Sequence, residues 1–221
     1  MIPTPELTTL FAQAARTKTA EDLWRLMLCE DPVYRKIPEH LRPEAVFRAA
    51  AFGRKAIEGL AERFGTRGPG TIARGLGAQV VLSQEPHVFG KVVRTSTYAH
   101  RSRTITIFTG AVDEMNRMLS EELGGVLGLR DVAPVYLAHE LFHHLEEDRL
   151  GRAANCLQIT TLKLGPLVLR SGIGQMSEIA ADAFSQALLG LRTAPRLLDY
   201  VTVWIHNPEA SLRRLRALVN G

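Results

Sequence analysis

The sequence predicts an α+β fold in which a small mixed sheet is preceded and followed by helical segments. Two observations predict this class. Apolar residues with a helical period fill the first third and the second half of the chain, and β-branched runs crowd residues 78–108 between them. The 221 residues are 46% hydrophobic and 23% charged, which is typical of a globular chain with one substantial core. That composition excludes disorder as the general state of the chain.

The first 65 residues are predicted to be helical. Thr19 is a typical N-cap, and two acidic residues follow it in the first turn, where they favour the positive end of the helix dipole. Pro43 opens a second helical stretch over 44–64, and its apolar residues can pack on one face. The glycine-rich segment 65–70 ends this stretch and is the predicted hinge or linker.

Three strands are predicted next, over 78–82, 91–98 and 103–108. These runs are rich in β-branched residues and are separated by turns that contain proline or glycine. From Val112 onward the chain is expected to be helical to its end. The predicted helices span 112–123, 132–147, 177–189 and 208–219, the last capped by Asn207 with Pro208 at its first position.

The segment with the most chemical content is the apolar stretch 131–144, which contains His139, Glu140 and His143. Histidines four residues apart on a helix project from one face, within reach of a single metal ion. Glu140 lies beside them and is predicted to act as a base rather than as a ligand. The alternative is a surface helix with accidental histidines, but unpaired imidazoles are costly in so apolar a helix.

A catalytic zinc needs a third protein ligand, and Glu178 is the predicted one. It lies 35 residues after His143 in a second amphipathic segment, with Asp182 one turn later on the same face. Asp182 is predicted to accept the outer N–H of His139 or His143 and so to fix the tautomer that binds the metal. The alternative is that both acids are solvated on the far side of that helix.

These two segments, HELFH at 139–143 and ExxADxF at 178–184, resemble the gluzincin zinc peptidases, whose third ligand is a glutamate on a later helix. Within that group the chain is most similar to the ImmA/IrrE family, from which it departs at Ala180 and Ser185. A second resemblance is to the peptidase domain of the CAAX-protease relatives, because His206 precedes Asn-Pro and a basic helix.

The resemblance implies one zincin-like metallopeptidase domain over 1–221. It has an N-terminal helical extension at 1–65, a metallopeptidase core at 76–190 and C-terminal helices at 191–221. One zinc ion per chain is the implied cofactor.

Two further residues are candidates for stabilising an oxyanion beside the metal. Tyr136 lies one turn before His139 on the same helix face, and His206 lies in the segment matched by the second resemblance. The alternatives are a tyrosine that packs the helix and a histidine in a loop. His144 is expected to point away from the site.

The function these residues predict is zinc-dependent hydrolysis of peptide bonds, with Glu140 taking the proton of the attacking water. A regulatory protein is one candidate substrate, and an extended peptide is expected to lie along an exposed sheet edge near 103–108. The alternative function is a regulatory binding protein whose metal site is structural or inactive. Such a protein would contact nucleic acid or a protein partner through the segment 35–103, which contains thirteen basic and five acidic residues.

Partners and location follow from simpler features of the chain. Nucleic acid is a partner that the basic segment allows but does not favour, since no nucleic-acid-binding motif accompanies the charge. No membrane partner is expected, because the longest uncharged runs are ten residues. Cys29 and Cys156 form no disulfide framework, which predicts a cytoplasmic protein. The oligomeric state is left open.

Overall fold

A computed structural model describes residues 4–85, 88–89, 92–119, 123, 128–165 and 167–220. The predicted α+β class is confirmed. The helices are α1 Pro5–Thr17, α2 Ala20–Cys29, α3 Arg42–Lys55, α4 Leu60–Phe64, α5 Pro69–Gly75, α6 Thr109–Met118, α7 Ala133–Leu145, α8 Gln175–Leu189, α9 Leu198–His206 and α10 Pro208–Asn220. The strands are β1 Gln79–Ser83, β2 Val88–Phe89, β3 Val92–Val93, β4 Ser96–Ala99, β5 Thr104–Phe108, β6 Gln158–Leu164 and β7 Leu167–Gly172.

The N-terminal helices follow local sequence signals closely. Thr19 caps α2, and its side chain and that of Asp22 each accept a hydrogen bond from the other's backbone N–H. The single helix expected over 44–64 is instead two, because Gly59 adopts a left-handed conformation with φ of 74°. The glycine-rich connection is shorter than predicted, because residues 65–68 join α4 to α5, which begins at Pro69.

A three-stranded mixed sheet lies beside the central helices, in the order β1-β5-β4. β1 pairs with β5 in parallel, and β4 pairs with β5 antiparallel. The strand expected over 91–98 is divided in two: β3 pairs with β2, and β4 begins at Ser96, while Lys91 lies outside the described residues. The expectation that 103–108 offers an exposed edge is wrong, because β5 is hydrogen-bonded on both sides, whereas β4 lies at the edge.

The expectation of helix throughout the second half of the chain is also wrong. β6 and β7 form an antiparallel hairpin between α7 and α8, with a register irregularity after Thr160. The β-branched run Ile159-Thr160-Thr161 and the turn at Gly165, which has φ of 57°, favour this hairpin locally. The predicted helix 112–123 includes residues 120–122, which lie outside the described part of the chain.

Helices from both ends and from the middle of the chain pack into one hydrophobic core. Phe11 of α1, Leu141 of α7, Phe184 of α8 and Leu215 of α10 are all buried in one apolar cluster. α3 crosses α8 at very short range, because a Cβ added at Gly53 would lie 2.0 Å from the carbonyl oxygen of Ala180. No described helix is long and apolar enough to cross a membrane.

Candidate metal centre

α7 brings His139 and His143 to one face, one helical turn apart. Their Nε2 atoms are 3.1 Å from each other, while the neighbouring residues Leu141 and Phe142 point into the core. The helix starts where the sequence predicts, because Asp131 accepts a hydrogen bond from the backbone N–H of Ala133. Two imidazole nitrogens therefore converge on one point beside a rigid helix.

α8 adds Glu178 to this pair. Its Oε2 lies 3.2 Å from His139 Nε2, and its Oε1 lies 3.7 Å from His143 Nε2. Zinc bonds of about 2.0–2.2 Å at tetrahedral angles place neighbouring ligand atoms roughly 3.4 Å apart. The distances between the ligand atoms, 3.1, 3.2 and 3.7 Å, lie close to that value on either side. Among the described residues, these three form the group of side chains close enough to hold one metal ion, with all ligand atoms within 4.8 Å.

The charges around the two imidazoles suit a cation. Burial lowers the pKa of His143, but Glu146 and Glu178 outweigh burial and raise that pKa to about 10. Burial raises the pKa of Glu178, yet its hydrogen bonds with His139 and His143 hold that pKa far below its ordinary range. The pocket thus stabilises positive charge at the point where the three side chains meet, as a divalent-cation site must.

Glu146 fixes the orientation of one histidine. Its Oε2 is 3.0 Å from His143 Nδ1, and its Oε1 accepts hydrogen bonds from Ala153 N at 2.7 Å and Ser177 Oγ at 2.9 Å. A carboxylate at Nδ1 keeps the proton there, so that Nε2 is the nitrogen of His143 that gives up its proton when a metal binds. Sequence reasoning missed this role of Glu146, although it lies three residues after His143 and therefore near the same helix face.

Asp182 does not make the hydrogen bond expected of it. Its Oδ2 accepts from Trp24 Nε1 at 2.6 Å, whereas the two histidines hydrogen-bond within the described chain to each other, Glu146 and Glu178. Burial raises the pKa of Asp182 to about 7, despite the Trp24 hydrogen bond, which lowers it. Asp182 therefore ties α2 to α8 behind the site.

Glu140 lies apart from the three converging atoms. It is buried, and its Oε1 accepts a hydrogen bond from Ser96 Oγ at 2.7 Å. Ser96 is the first residue of the edge strand β4, 44 positions earlier in the sequence. A cavity of about 440 Å³ is lined by Ser96, Glu140, His139 and Glu178, so the carboxylate faces open space beside the candidate ligands.

The remaining candidates lie farther from this group. Tyr136 lines the same cavity, but its hydroxyl donates to Met115 Sδ at 3.2 Å. His206, at the end of α9, lines an adjoining cavity and lies 4.0 Å from Glu114. His144 points away, as expected: its ring nitrogens lie 2.9 Å from Tyr98 Oη and 3.3 Å from the Leu76 carbonyl oxygen.

No family model, curated protein or solved structure matches the chain. Its function is therefore inferred from the geometry of this site. That geometry is two imidazoles and one carboxylate around a single point, a second carboxylate set apart, and a cavity lined by His139, Glu178 and Glu140.

Proposed function

We propose that the chain is a zinc-dependent peptidase. The observation that carries the proposal is the convergence of His139, His143 and Glu178 at ligand spacing, with Glu140 beside them and not among them. Three protein ligands with an open fourth position are typical of catalytic rather than structural zinc. When bound, the metal would polarise the scissile carbonyl and acidify a water molecule.

Glu140 is the general base of this proposal. Because Ser96 Oγ donates to its Oε1, the other oxygen, Oε2, is the atom that takes a proton from water in the cavity. The same carboxylic acid then delivers the proton to the leaving amine. The hydrogen bond from the neutral Ser96 hydroxyl fixes the orientation of the Glu140 carboxylate.

The substrate would lie along the edge strand β4. Among the described strands, β4 pairs with β5 alone, so its other edge can accept an extended peptide as an additional strand. Ser96, which begins this strand, touches the proposed base directly. A peptide aligned by β4 would therefore pass the reacting groups, and Arg94 and Thr95 just before the strand line the same cavity.

The zincin-like fold and the kinship with gluzincins, most closely the ImmA/IrrE family, are part of the same proposal. Two features support them. The helix that carries both histidines lies beside a mixed sheet with an antiparallel edge strand, and the third ligand comes from the next long helix, α8. A cytoplasmic peptidase that cleaves a regulatory protein is the most specific form of the proposal.

Metal analysis of purified variants tests the ligands. Wild type is expected to carry about one zinc per chain, and His139→Ala, His143→Ala and Glu178→Ala are expected to lose it. His40→Ala is the matched control, because His40 is exposed and outside the site. Equal zinc in the four variants and wild type would contradict the proposed ligand set.

Glu140→Gln separates a peptidase from a binding protein with an inactive metal site. The amide keeps the size of the side chain but cannot take the proton, so zinc content is expected to stay and cleavage to fall by about 10²–10⁴-fold. Cleavage is measured by mass spectrometry on a peptide library from proteolysed lysate. Equal rates for wild type and Glu140→Gln would exclude Glu140 as the base, and no cleavage by zinc-loaded wild type would favour the binding protein.

A further inference from the structure

The hairpin β6–β7 carries a leucine face that the described part of the chain leaves exposed. Leu162 pairs with Leu169, and Leu164 pairs with Leu167. Because alternate residues of a strand point to the same side, these four side chains share one face of the hairpin. They are 44%, 47%, 60% and 54% exposed, in that order of naming.

Basic residues accompany this face and acidic ones do not. Lys163 and Arg170 are exposed on the opposite face of the hairpin, and Lys36 Nζ donates to the Thr161 carbonyl oxygen at its base. Arg35 lies exposed beside Lys36. The sequence holds no acidic residue from 149 to 177, so the charged side chains of the hairpin itself are all basic.

The charge of the hairpin favours an anionic partner over a second copy of the chain. Four half-exposed leucines offer roughly 400 Å² of apolar surface, and the segment 149–177 has no acidic residue that could pair with Lys163 or Arg170 of another copy. Apolar tips flanked by cations match a different surface, namely a lipid bilayer with anionic headgroups. There the leucines enter the acyl boundary, and Lys163 extends its flexible stem back to the phosphates.

We propose that the β6–β7 hairpin docks the protein on anionic membrane surfaces. That no described helix is long and apolar enough to span a membrane does not conflict with this, because the hairpin inserts only its leucine side chains. Docking orients the molecule through the segment that joins α7 to α8, the two helices of the candidate metal centre. The proposal is independent of zinc binding and of peptidase activity.

Vesicle flotation tests the hairpin directly. The full chain is mixed with vesicles of phosphatidylcholine and phosphatidylglycerol in equal parts, or of phosphatidylcholine alone. Wild type is expected to float with the mixed vesicles at least tenfold more than with the neutral ones, and less at 0.5 M salt, because salt screens the cationic contribution. No flotation with the mixed vesicles would overturn the proposal.

Two variants locate the contact. The double change Leu164→Ser with Leu167→Ser is expected to lower the partition onto mixed vesicles at least tenfold, and Lys163→Ala with Arg170→Ala to lower it severalfold. Leu82→Ser is the matched control, because Leu82 is 69% exposed on β1, away from the hairpin. The Leu82→Ser variant should partition onto mixed vesicles as wild type does.

Light scattering and circular dichroism on the same variants exclude other causes. All are expected to keep the wild-type spectrum, because the changed side chains are exposed. An unchanged partition for the leucine double variant, or the same loss in Leu82→Ser, would overturn the proposal. So would a wild-type dimer that the leucine changes dissociate, because the hairpin would then be covered by a second copy.

Discussion

At the scale of single residues, Glu146 is expected to strengthen zinc binding, because it orients one of the three ligands. It is buried, and its two oxygens join His143 to the backbone N–H of Ala153 and the hydroxyl of Ser177. Glu146→Gln removes the charge that holds the proton on Nδ1, so zinc affinity should fall about 10–100-fold. A competition titration with a zinc chelator measures this.

The control for Glu146 is its neighbour. Glu147→Gln makes the same chemical change in a side chain that pairs with Arg152 and lies near His100, but does not contact His143. Its zinc affinity should equal that of wild type. If the two variants bind zinc equally, Glu146 does not position His143.

Ser96 is expected to act on the rate and not on the metal. Its hydroxyl donates to Glu140, so Ser96→Ala lets the carboxylate rotate and leaves the three ligands unchanged. Peptide cleavage should fall about tenfold, the value of one hydrogen bond near 1.4 kcal/mol, while zinc content stays at one per chain. Ser102→Ala, in an exposed turn, is the control. Loss of zinc in Ser96→Ala would give Ser96 a structural role instead.

These residues also show what the sequence reveals and what it conceals. His139 and His143 were predictable because one helix sets their spacing, and Glu178 because a ligand-type residue recurs on a second amphipathic helix. Ser96 reaches Glu140 across 44 residues through the placement of a sheet edge, which no local pattern encodes. Asp182 is chemically able to accept a hydrogen bond from a histidine, but it accepts one from Trp24 of the distant helix α2 instead.

At the scale of elements, the crossing of α3 and α8 depends on Gly53. A methyl group there would meet the Ala180 carbonyl oxygen at 2.0 Å, and backbone on both sides leaves no flexible group to move. Alanine would gain up to about 1 kcal/mol of helix propensity, but overpacking costs about 1–3 kcal/mol. Gly53→Ala should therefore be less stable in urea unfolding, and weaker in zinc binding because α8 carries Glu178.

Gly70 provides the comparison for that change. It lies in α5, and an added Cβ would meet Leu137 Cδ2 at 3.4 Å, an ordinary contact. Gly70→Ala should be neutral or slightly stabilising. A Gly53→Ala protein as stable as wild type would mean that α3 and α8 can separate without cost.

The hydrogen bond between Trp24 of α2 and Asp182 of α8 is expected to affect the stability of the fold but not the affinity for zinc. Trp24→Phe removes the donor to Asp182 and leaves a buried carboxylate without its hydrogen bond, which should cost about 1–3 kcal/mol of unfolding free energy. Zinc affinity should change less than threefold, because Asp182 does not contact the histidines by hydrogen bond. A loss of affinity above tenfold would return Asp182 to the role that the sequence predicts for it.

Element boundaries were predictable where the signal is local, as at Thr19, Asn207 and the run 104–108. The hairpin β6–β7 was missed because leucine suits both helix and strand, and Leu162, Leu164, Leu167 and Leu169 dominate it. The sheet edge was misassigned for a different reason. The sequence pattern of β5 is compatible with a central strand and with an edge strand. It therefore did not predict the order β1-β5-β4.

At the scale of the whole molecule, metal binding is expected to stabilise the fold. The three ligands come from α7 and α8, and both helices pack into the core that includes α1 and α10. An ion that binds only the folded chain adds about 2.7 kcal/mol of stability when its free concentration is 100 times Kd. For a chain of this size, that raises Tm by roughly 5–10 °C.

The measurement is thermal unfolding with and without a strong chelator, followed by zinc added back. Wild type should lose the Tm increment with chelator and regain it with zinc, whereas His143→Ala should start near the chelated value and respond to neither. The exposed-histidine variant His40→Ala should behave as wild type, which separates the centre from weak binding elsewhere on the surface. An equal response of wild type and His143→Ala would mean that the stabilising ion binds at another site, since only the centre on α7 and α8 requires His143.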